Sequence, residues 1–208
     1  EGRLCSAQLG VENMLPLRDT LHHTYADYLT WTEGGREELI DGVAYIKEPP
    51  APLRCHQELA GELYHQLRLA LEGKPCRVYV APFDVRLPRS GEADELIETV
   101  VQPDVLIVCD LGKLDARGMR GAPDWLAEVL SPSTASHDQI VKLPVYERAG
   151  VREVWLVHPT DRTVTIHRLQ DGRYGCPLIV KMKGRTSLAA VPGVTIDWDR
   201  MQAALAPG

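Results

Sequence analysis

Several things are scarce in this chain of 208 residues. It has a single Phe, and aromatic residues make up 6% of it. No apolar run approaches the roughly 18 residues that a membrane-spanning helix needs, so no membrane partner is expected. Five cysteines (Cys5, Cys55, Cys76, Cys109, Cys176) are widely spread, odd in number and contain no CxxC pair. That spacing speaks against a zinc site or a disulfide framework. The expectation is free thiols in a reducing cytoplasm. Positive charge is not in excess either: the net charge of −6 does not advertise a nucleic-acid binder. The opening Glu1-Gly2-Arg3-Leu4-Cys5 has no initiator Met and no signal-peptide apolar stretch. The expectation there is either a trimmed start or a numbering that does not follow the natural chain. There is no internal repeat and no low-complexity segment.

What is present is ordinary for a globular protein: 44% hydrophobic and 25% charged residues. This length buries one substantial core, so 1–208 is read as a single domain. Within it, residues 20–54 form an N-terminal helix and hairpin region, 55–158 the core, and 159–208 a C-terminal β extension. Charge is unevenly spread. Residues 1–139 carry 13 Lys+Arg against 23 Asp+Glu, whereas residues 140–185 carry 9 against 4. A basic later half can meet phosphates while the acidic half stays away, and a solvated mixed surface explains the same numbers.

Local signals supply the elements. Thr24 is placed to cap a short helix to Leu29. Asp41-Gly42 between Glu37–Ile40 and Val43–Ile46 is a strong hairpin signal, because a type I′ turn needs positive φ at both central positions. Glu48-Pro49-Pro50-Ala51-Pro52 reads as a connector. Leu59, Leu63, Leu67, Ala70 and Leu71 recur at helical spacing, and Gly73-Lys74-Pro75 ends that helix. Val78–Val80 and Phe83–Leu87 read as strands, then 88–99 as a charged loop. Val101–Cys109 reads as one buried strand, 110–124 as loop, and Trp125–Leu130 as a second buried strand. His137–Ala149 reads as a helix closed by Gly150. Val154–Val157 is a further strand, and Thr163–Leu169 turns at Asp171-Gly172 toward Leu178–Lys181. This order predicts an α/β (α+β) fold, a mixed central sheet flanked by helices with additional β-hairpins.

Two apolar runs carry acids: Asp104 just before one and Glu128 inside the next. Charge in such a run is costly unless paired or holding a cation. Two carboxylates on neighbouring strands suit a hard divalent ion, Mg²⁺ or Mn²⁺. Such an ion polarises a phosphoryl oxygen and acidifies a bound water. Asp138 and Lys142, i and i+4, share a helix face, and Lys142 is suited to stabilising charge on a transferring phosphoryl group. Structural carboxylates and a helix ion pair explain the same residues. Glu38 beside the turn is either a third acid at the metal or an ordinary exposed hairpin carboxylate. His56 at a helix start either touches the site or is structural. Ser131 and Ser133, flanking Pro132 and without a paired His, read as turn residues.

Taken in order, Glu38-Leu39-Ile40-Asp41-Gly42, His56, Pro103-Asp104, Glu128-Val129-Leu130-Ser131-Pro132-Ser133-Thr134, Asp138, Lys142, Tyr146 and Gly150-Val151-Arg152-Glu153-Val154-Trp155-Leu156-Val157 resemble the Uma-type "putative restriction endonuclease" family. That family is a branch of the PD-(D/E)XK nuclease superfamily, and the resemblance spans about Leu29 to Tyr174. It implies a restriction-endonuclease-like core: a helix, three antiparallel strands, a second helix and a fourth strand. It also implies Mg²⁺-dependent hydrolysis of phosphodiester bonds. Carried over, Asp104 and Glu128 are the metal ligands. The position two after Glu128 is Leu130 rather than Lys, so the resemblance puts the lysine at Lys142; Asp138 reads as orienting Lys142 rather than binding the metal. Pro144 complicates the aim of that lysine, since it removes a helical N–H.

The expectation is therefore a cytoplasmic endodeoxyribonuclease using Mg²⁺ (or Mn²⁺) at Asp104 and Glu128, with DNA as partner and a homodimer as a plausible assembly. Its candidate catalytic set is Asp104, Glu128, Lys142, Glu38, His56 and Asp138. The alternatives are an inactive DNA-binding or interaction module of the same fold, or a phosphodiesterase acting on RNA or small nucleotides.

Overall fold

The computed structural model describes residues 17–31, 37–46 and 54–202. The connector expected at 48–52, Cys5 and the lead-in and tail around them lie outside the described residues. Helix α1 (Tyr25–Tyr28) starts after Thr24. The Asp27 carboxylate accepts the Thr24 N–H at 2.8 Å and its hydroxyl at 3.1 Å, holding the first turn. Strands β1 (Glu37–Ile40) and β2 (Val43–Ile46) pair with Glu38 opposite Tyr45. At their turn Asp41 has φ 50° and Gly42 φ 78°, the left-handed pair that type I′ requires. Any Cβ at Gly42 would also sit 2.1 Å from the His22 ring.

Helix α2 (Arg54–Ala70) buries Leu59, Leu63 and Leu67 along one stripe, about 1.5–3 kcal/mol for each. There follow β3 (Arg77–Val80), β4 (Val85–Arg86), β5 (Val100–Val101) and β6 (Val105–Val108). Next come β7 (Leu114–Asp115), β8 (Gly118–Arg120) and β9 (Trp125–Val129). A π-helical turn (His137–Lys142) runs into α3 (Leu143–Ala149), which Gly150 ends at φ 89°. The chain closes with β10 (Glu153–His158), β11 (Thr163–Gln170), β12 (Arg173–Tyr174), β13 (Leu178–Lys181), β14 (Arg185–Ser187) and β15 (Thr195–Asp197).

These strands build two main sheets. One runs β2-β1-β5-β4-β8-β7; the other runs β12-β11-β10-β9-β6-β3, with β13 also on β11. In the second, β3, β6 and β9 are antiparallel and β10 joins β9 in parallel after α3. Helix α2 followed by these elements has the order of a restriction-endonuclease-like core. Alternation along each strand divides the interior. Val105, Ile107, Trp125 and Ala127 face α2 and the β14–β15 unit, whereas Leu106, Val108 and Leu126 face the first sheet and α3. Tyr25, Leu39, Ile97 and Val100 form a third cluster on the outer side of the first sheet.

Three expectations change. The stretch Val101–Cys109 is two strands in different sheets, and Gln102-Pro103-Asp104 makes the crossing. The supposed loop 110–124 contains the β7–β8 hairpin. The thiols are not all free: Cys76 and Cys109 form a disulfide, while Cys55 and Cys176 are free. Register is the reason, because Arg77 pairs with Val108 and so sets Cys76 against Cys109 across β3 and β6.

Candidate active site

Four parts of the chain meet between the two sheets. On β1, Ile40 faces the inter-sheet core and Leu39 the outer cluster. Glu38 therefore shares the inward side of Ile40 by strand periodicity. The same alternation on β9 turns Glu128 inward with Leu126. Asp104 sits on the crossing just before β6, and the π-helical turn carries Asp138 and Lys142.

The two acids read from the sequence are interlocked. Asp104 Oδ2 accepts the Val129 N–H at 2.8 Å, and Glu128 Oε2 accepts the Asp104 N–H at 3.3 Å. Each carboxylate thus holds the backbone beside the other acid. His56, near the start of α2, places Nε2 at 3.1 Å from Asp104 Oδ2. Lys142 Nζ lies 2.7 Å from Glu128 Oε1, 3.0 Å from Glu38 Oε1 and 3.4 Å from Asp138 Oδ1. The structure brings all six candidate residues into one connected group.

Glu38 departs from its reading as an exposed carboxylate, whereas Lys142 does make the helix ion pair with Asp138. Glu38 is no exposed hairpin carboxylate: its side chain is 0% exposed, and Oε1 also accepts the Gln102 N–H at 2.8 Å. Lys142 is likewise 0% exposed. Pro144 does not spoil its aim. Pro144 cannot donate an N–H, and the Leu143 N–H reaches back five residues to Asp138 O, widening the turn.

Three further residues were not assigned a role from the sequence. Tyr146 donates its hydroxyl to Glu128 Oε1 at 2.5 Å. Its spacing of four from Lys142 was the available signal. His137 is fully buried, with Nε2 3.4 Å from Glu38 Oε2 and its ring centroid 4.7 Å from that of Tyr45. Gln102 holds Glu38 through its backbone; nothing in its own sequence context points to that. Ser131 and Ser133 bond each other at 3.0 Å within the turn after β9, as turn residues do.

The electrostatics follow. Burial alone would push the Lys142 ammonium down, but Glu128 and then Glu38 outweigh it and hold its pKa well above the ordinary range. Lys142 is a fixed positive charge here, not a proton acceptor. Burial, then the charge on Glu128, keep the Tyr146 phenol protonated. Burial also works against protonated His56, yet the bond to Asp104 wins and raises its pKa. Four carboxylates (Glu38, Asp104, Glu128, Asp138) face one lysine and His56, which leaves negative charge in surplus.

That surplus and the all-oxygen donors of Asp104 and Glu128 fit a hard divalent cation. Among the described residues no group of three or more His, Cys, Asp or Glu is arranged as a ready-made metal centre. This is compatible with Mg²⁺, which is commonly held by one or two carboxylates plus water and substrate phosphate.

The family described as "Uma2: Putative restriction endonuclease" matches residues 25–199. The chain belongs to that family. Among solved structures it is similar to one described as a putative nuclease of DUF820 from Anabaena variabilis. The TM-score is 0.68 at 16% identity, covering 88% of this chain and 99% of that one. At that identity the likeness concerns the fold. No curated protein matches the chain. Membership supports nuclease chemistry in general for this Uma2-family chain. Among the described residues no helix is long and apolar enough to cross a membrane.

Proposed function

We propose that this Uma2-family protein is a divalent-metal-dependent endonuclease that hydrolyses DNA phosphodiester bonds at the Asp104–Glu128 pair. The observation that supports it best is the interlock of those two carboxylates, with the Lys142 ammonium 2.7 Å from Glu128 Oε1. Asp104 and Glu128 would hold the metal, Mg²⁺ or Mn²⁺, which supplies Lewis acidity and a more acidic bound water. The remaining work belongs to the side chains. His56 and the Val129 N–H fix the Asp104 carboxylate, and Tyr146 fixes Glu128. Lys142 contributes positive charge toward a phosphoryl oxygen, with Asp138 and Glu38 holding the ammonium in place.

The cytoplasm and a homodimer are part of the same proposal. Two sites related by a two-fold axis are the simplest way to cut both strands of a duplex, and sedimentation of the purified chain reads its assembly. The Cys76–Cys109 bridge bears on location, since disulfides persist mainly in oxidising compartments. Thiol trapping from intact cells decides that point.

A second reading, a DNA-binding module without catalysis, draws on the full burial of Lys142. Plasmid nicking with and without Mg²⁺ or Mn²⁺ separates the two. The proposal expects metal-dependent nicking that Asp104→Ala abolishes, and no nicking by the wild type with either metal sinks it. Competition by single-stranded DNA and RNA tests the choice of substrate.

A further inference from the structure

On the outer side of the first sheet lies a cavity of about 520 Å³, well within the range of small-molecule sites. Tyr28, Trp31 and Phe83 line its walls, and Asp84 and Gln102 are also in its lining. The Tyr28 and Trp31 ring centroids are 5.1 Å apart, and Phe83 is backed by Tyr79 at 4.2 Å with planes 18° apart. Asp84 Oδ1 accepts the Tyr28 hydroxyl at 2.9 Å and the Gln102 amide at 2.8 Å. Those two bonds set the plane of a half-buried carboxylate. Its other oxygen, Oδ2, accepts no hydrogen bond from the described residues. Burial and then the Asp84 charge keep Tyr28 a phenol, so it remains a donor to Oδ1.

Aromatic side chains and a carboxylate in one lining suit a planar heterocycle with N–H donors along one edge. Unstacked nucleobases are recognised in this way, by aromatic stacking and by hydrogen bonds to their edges. Guanine fits best, because its N1–H and N2 amino group lie side by side on one edge and match a carboxylate. The lining does not form an anionic pit that would expel a nucleotide. Glu37 pairs with Arg18 and Asp115 with Arg86, and Arg117 lies in the same wall.

The cavity is also coupled to the acidic cluster. Gln102 binds Asp84 with its side chain and Glu38 with its backbone N–H. It precedes Asp104 by two residues, roughly 7 Å of extended chain. The Ala81 N–H donates to Asp104 O at 3.0 Å, beside Pro82 in the cavity wall. The two crossings between sheets, 81–84 and 102–104, therefore run together, with the acids on one side and the cavity on the other.

We propose that this cavity is a nucleobase pocket, selective for guanine, that takes an unstacked base from the strand held at the acidic cluster. The source of the base rests on the nuclease reading; the chemistry of the pocket does not. The test is binding without cleavage, by fluorescence anisotropy of the full chain in EDTA. The probes are fluorescein-labelled single-stranded 12-mers with one central guanine, hypoxanthine or abasic site, and free guanosine monophosphate as competitor.

The abasic strand is expected to bind roughly 5- to 100-fold more weakly than the guanine strand, with hypoxanthine between. Phe83→Ala should abolish that difference. Asp84→Asn keeps an acceptor for Tyr28 and Gln102, so it should fold, and it should equalise guanine and hypoxanthine. Asp104→Ala should leave the base preference intact even if cleavage is lost. Equal binding of guanine and abasic strands by the wild type overturns the pocket. Binding of guanosine monophosphate, read by intrinsic fluorescence, with no binding of any strand keeps the pocket and rejects the nuclease reading as the source of its base.

Discussion

Replacing Lys142 by Met tests the centre of this site most directly. Met preserves length and much of the volume but removes the ammonium from within 3.4 Å of Glu128, Glu38 and Asp138. Side-chain exposure is 0% for Lys142 and Glu38 and 2% for Glu128, so solvent screens these charges little. Removing one partner of a buried ion pair costs about 3–5 kcal/mol, because the other charge is left uncompensated. At roughly 2–4 °C per kcal/mol for a chain of this size, Tm should fall by about 6–20 °C. Urea unfolding followed by the fluorescence of the buried Trp125, Trp155 and Trp198 reads the loss as a lower midpoint at constant slope. Adding Glu128→Gln to the Met variant should restore part of it, since adjacent charges couple. Added Mg²⁺ should stabilise the Met variant more than the wild type by binding the uncompensated acids. A loss below about 1 kcal/mol would refute the view that Lys142 balances buried charge. No gain from Mg²⁺ in either protein would refute the cation-binding role of the acids.

Three other outcomes follow from the same geometry. Tyr146→Phe removes the hydroxyl donor to Glu128 Oε1 and should cost about 1.5–3 kcal/mol in urea unfolding; a loss under about 0.5 kcal/mol would contradict that bond. His56 has a raised pKa, against burial and through Asp104, so its stabilising contribution is full below its unfolded pKa of about 6.5 and is lost as pH rises through the folded value. NMR titration of the His56 ring should show that raised value and its fall on adding Mg²⁺; an ordinary value unmoved by metal would contradict the contact. The Cys76–Cys109 bridge closes a separation of 33 residues, which corresponds to roughly 3–4 kcal/mol in the chain-entropy account. Dithiothreitol should therefore lower the Tm of the wild type and leave the Cys76→Ser/Cys109→Ser variant unchanged, and an insensitive wild type would argue against the bridge.

What could be read from the sequence was what local chemistry controls. Leucines at helical spacing mark α2, and Asp41-Gly42 marks the β1–β2 turn, because each signal lies within a few residues of the structure it causes. Glu128 stood out because β9 is buried on both faces, leaving its run apolar apart from one charge. What escaped was set by partners far along the chain. Val101 and Val105 are equally apolar, and periodicity cannot show that they pair in different sheets. Cysteine spacing gave no hint of the bridge, since β3–β6 register alone brings Cys76 to Cys109. The choice between the two readings of Glu38 stayed open for the same reason: a hairpin strand is half exposed unless another layer covers it, and here the second sheet and the π-helical turn do.

Leu130 and Lys142 occupy complementary places beside Glu128. Under the resemblance read from the sequence, Leu130 stands where the superfamily pattern has Lys, and strand alternation turns it to the same side as Glu128. It is buried in the cluster that also holds Val145 and Tyr146 of α3. The strand position that lacks the ammonium thus supplies an apolar seat for the helix that follows Lys142. Pro144, which lacks an N–H, follows directly on the widened turn that the Leu143 N–H closes on Asp138 O. Lys142 and Tyr146, four residues apart, both reach Glu128 Oε1, and Val145 and Tyr146 pack in the cluster that holds Leu130. On the proposed reading, the positive charge beside Glu128 comes from Lys142 on the helical side, and Leu130 serves the strand position as an apolar contact for α3.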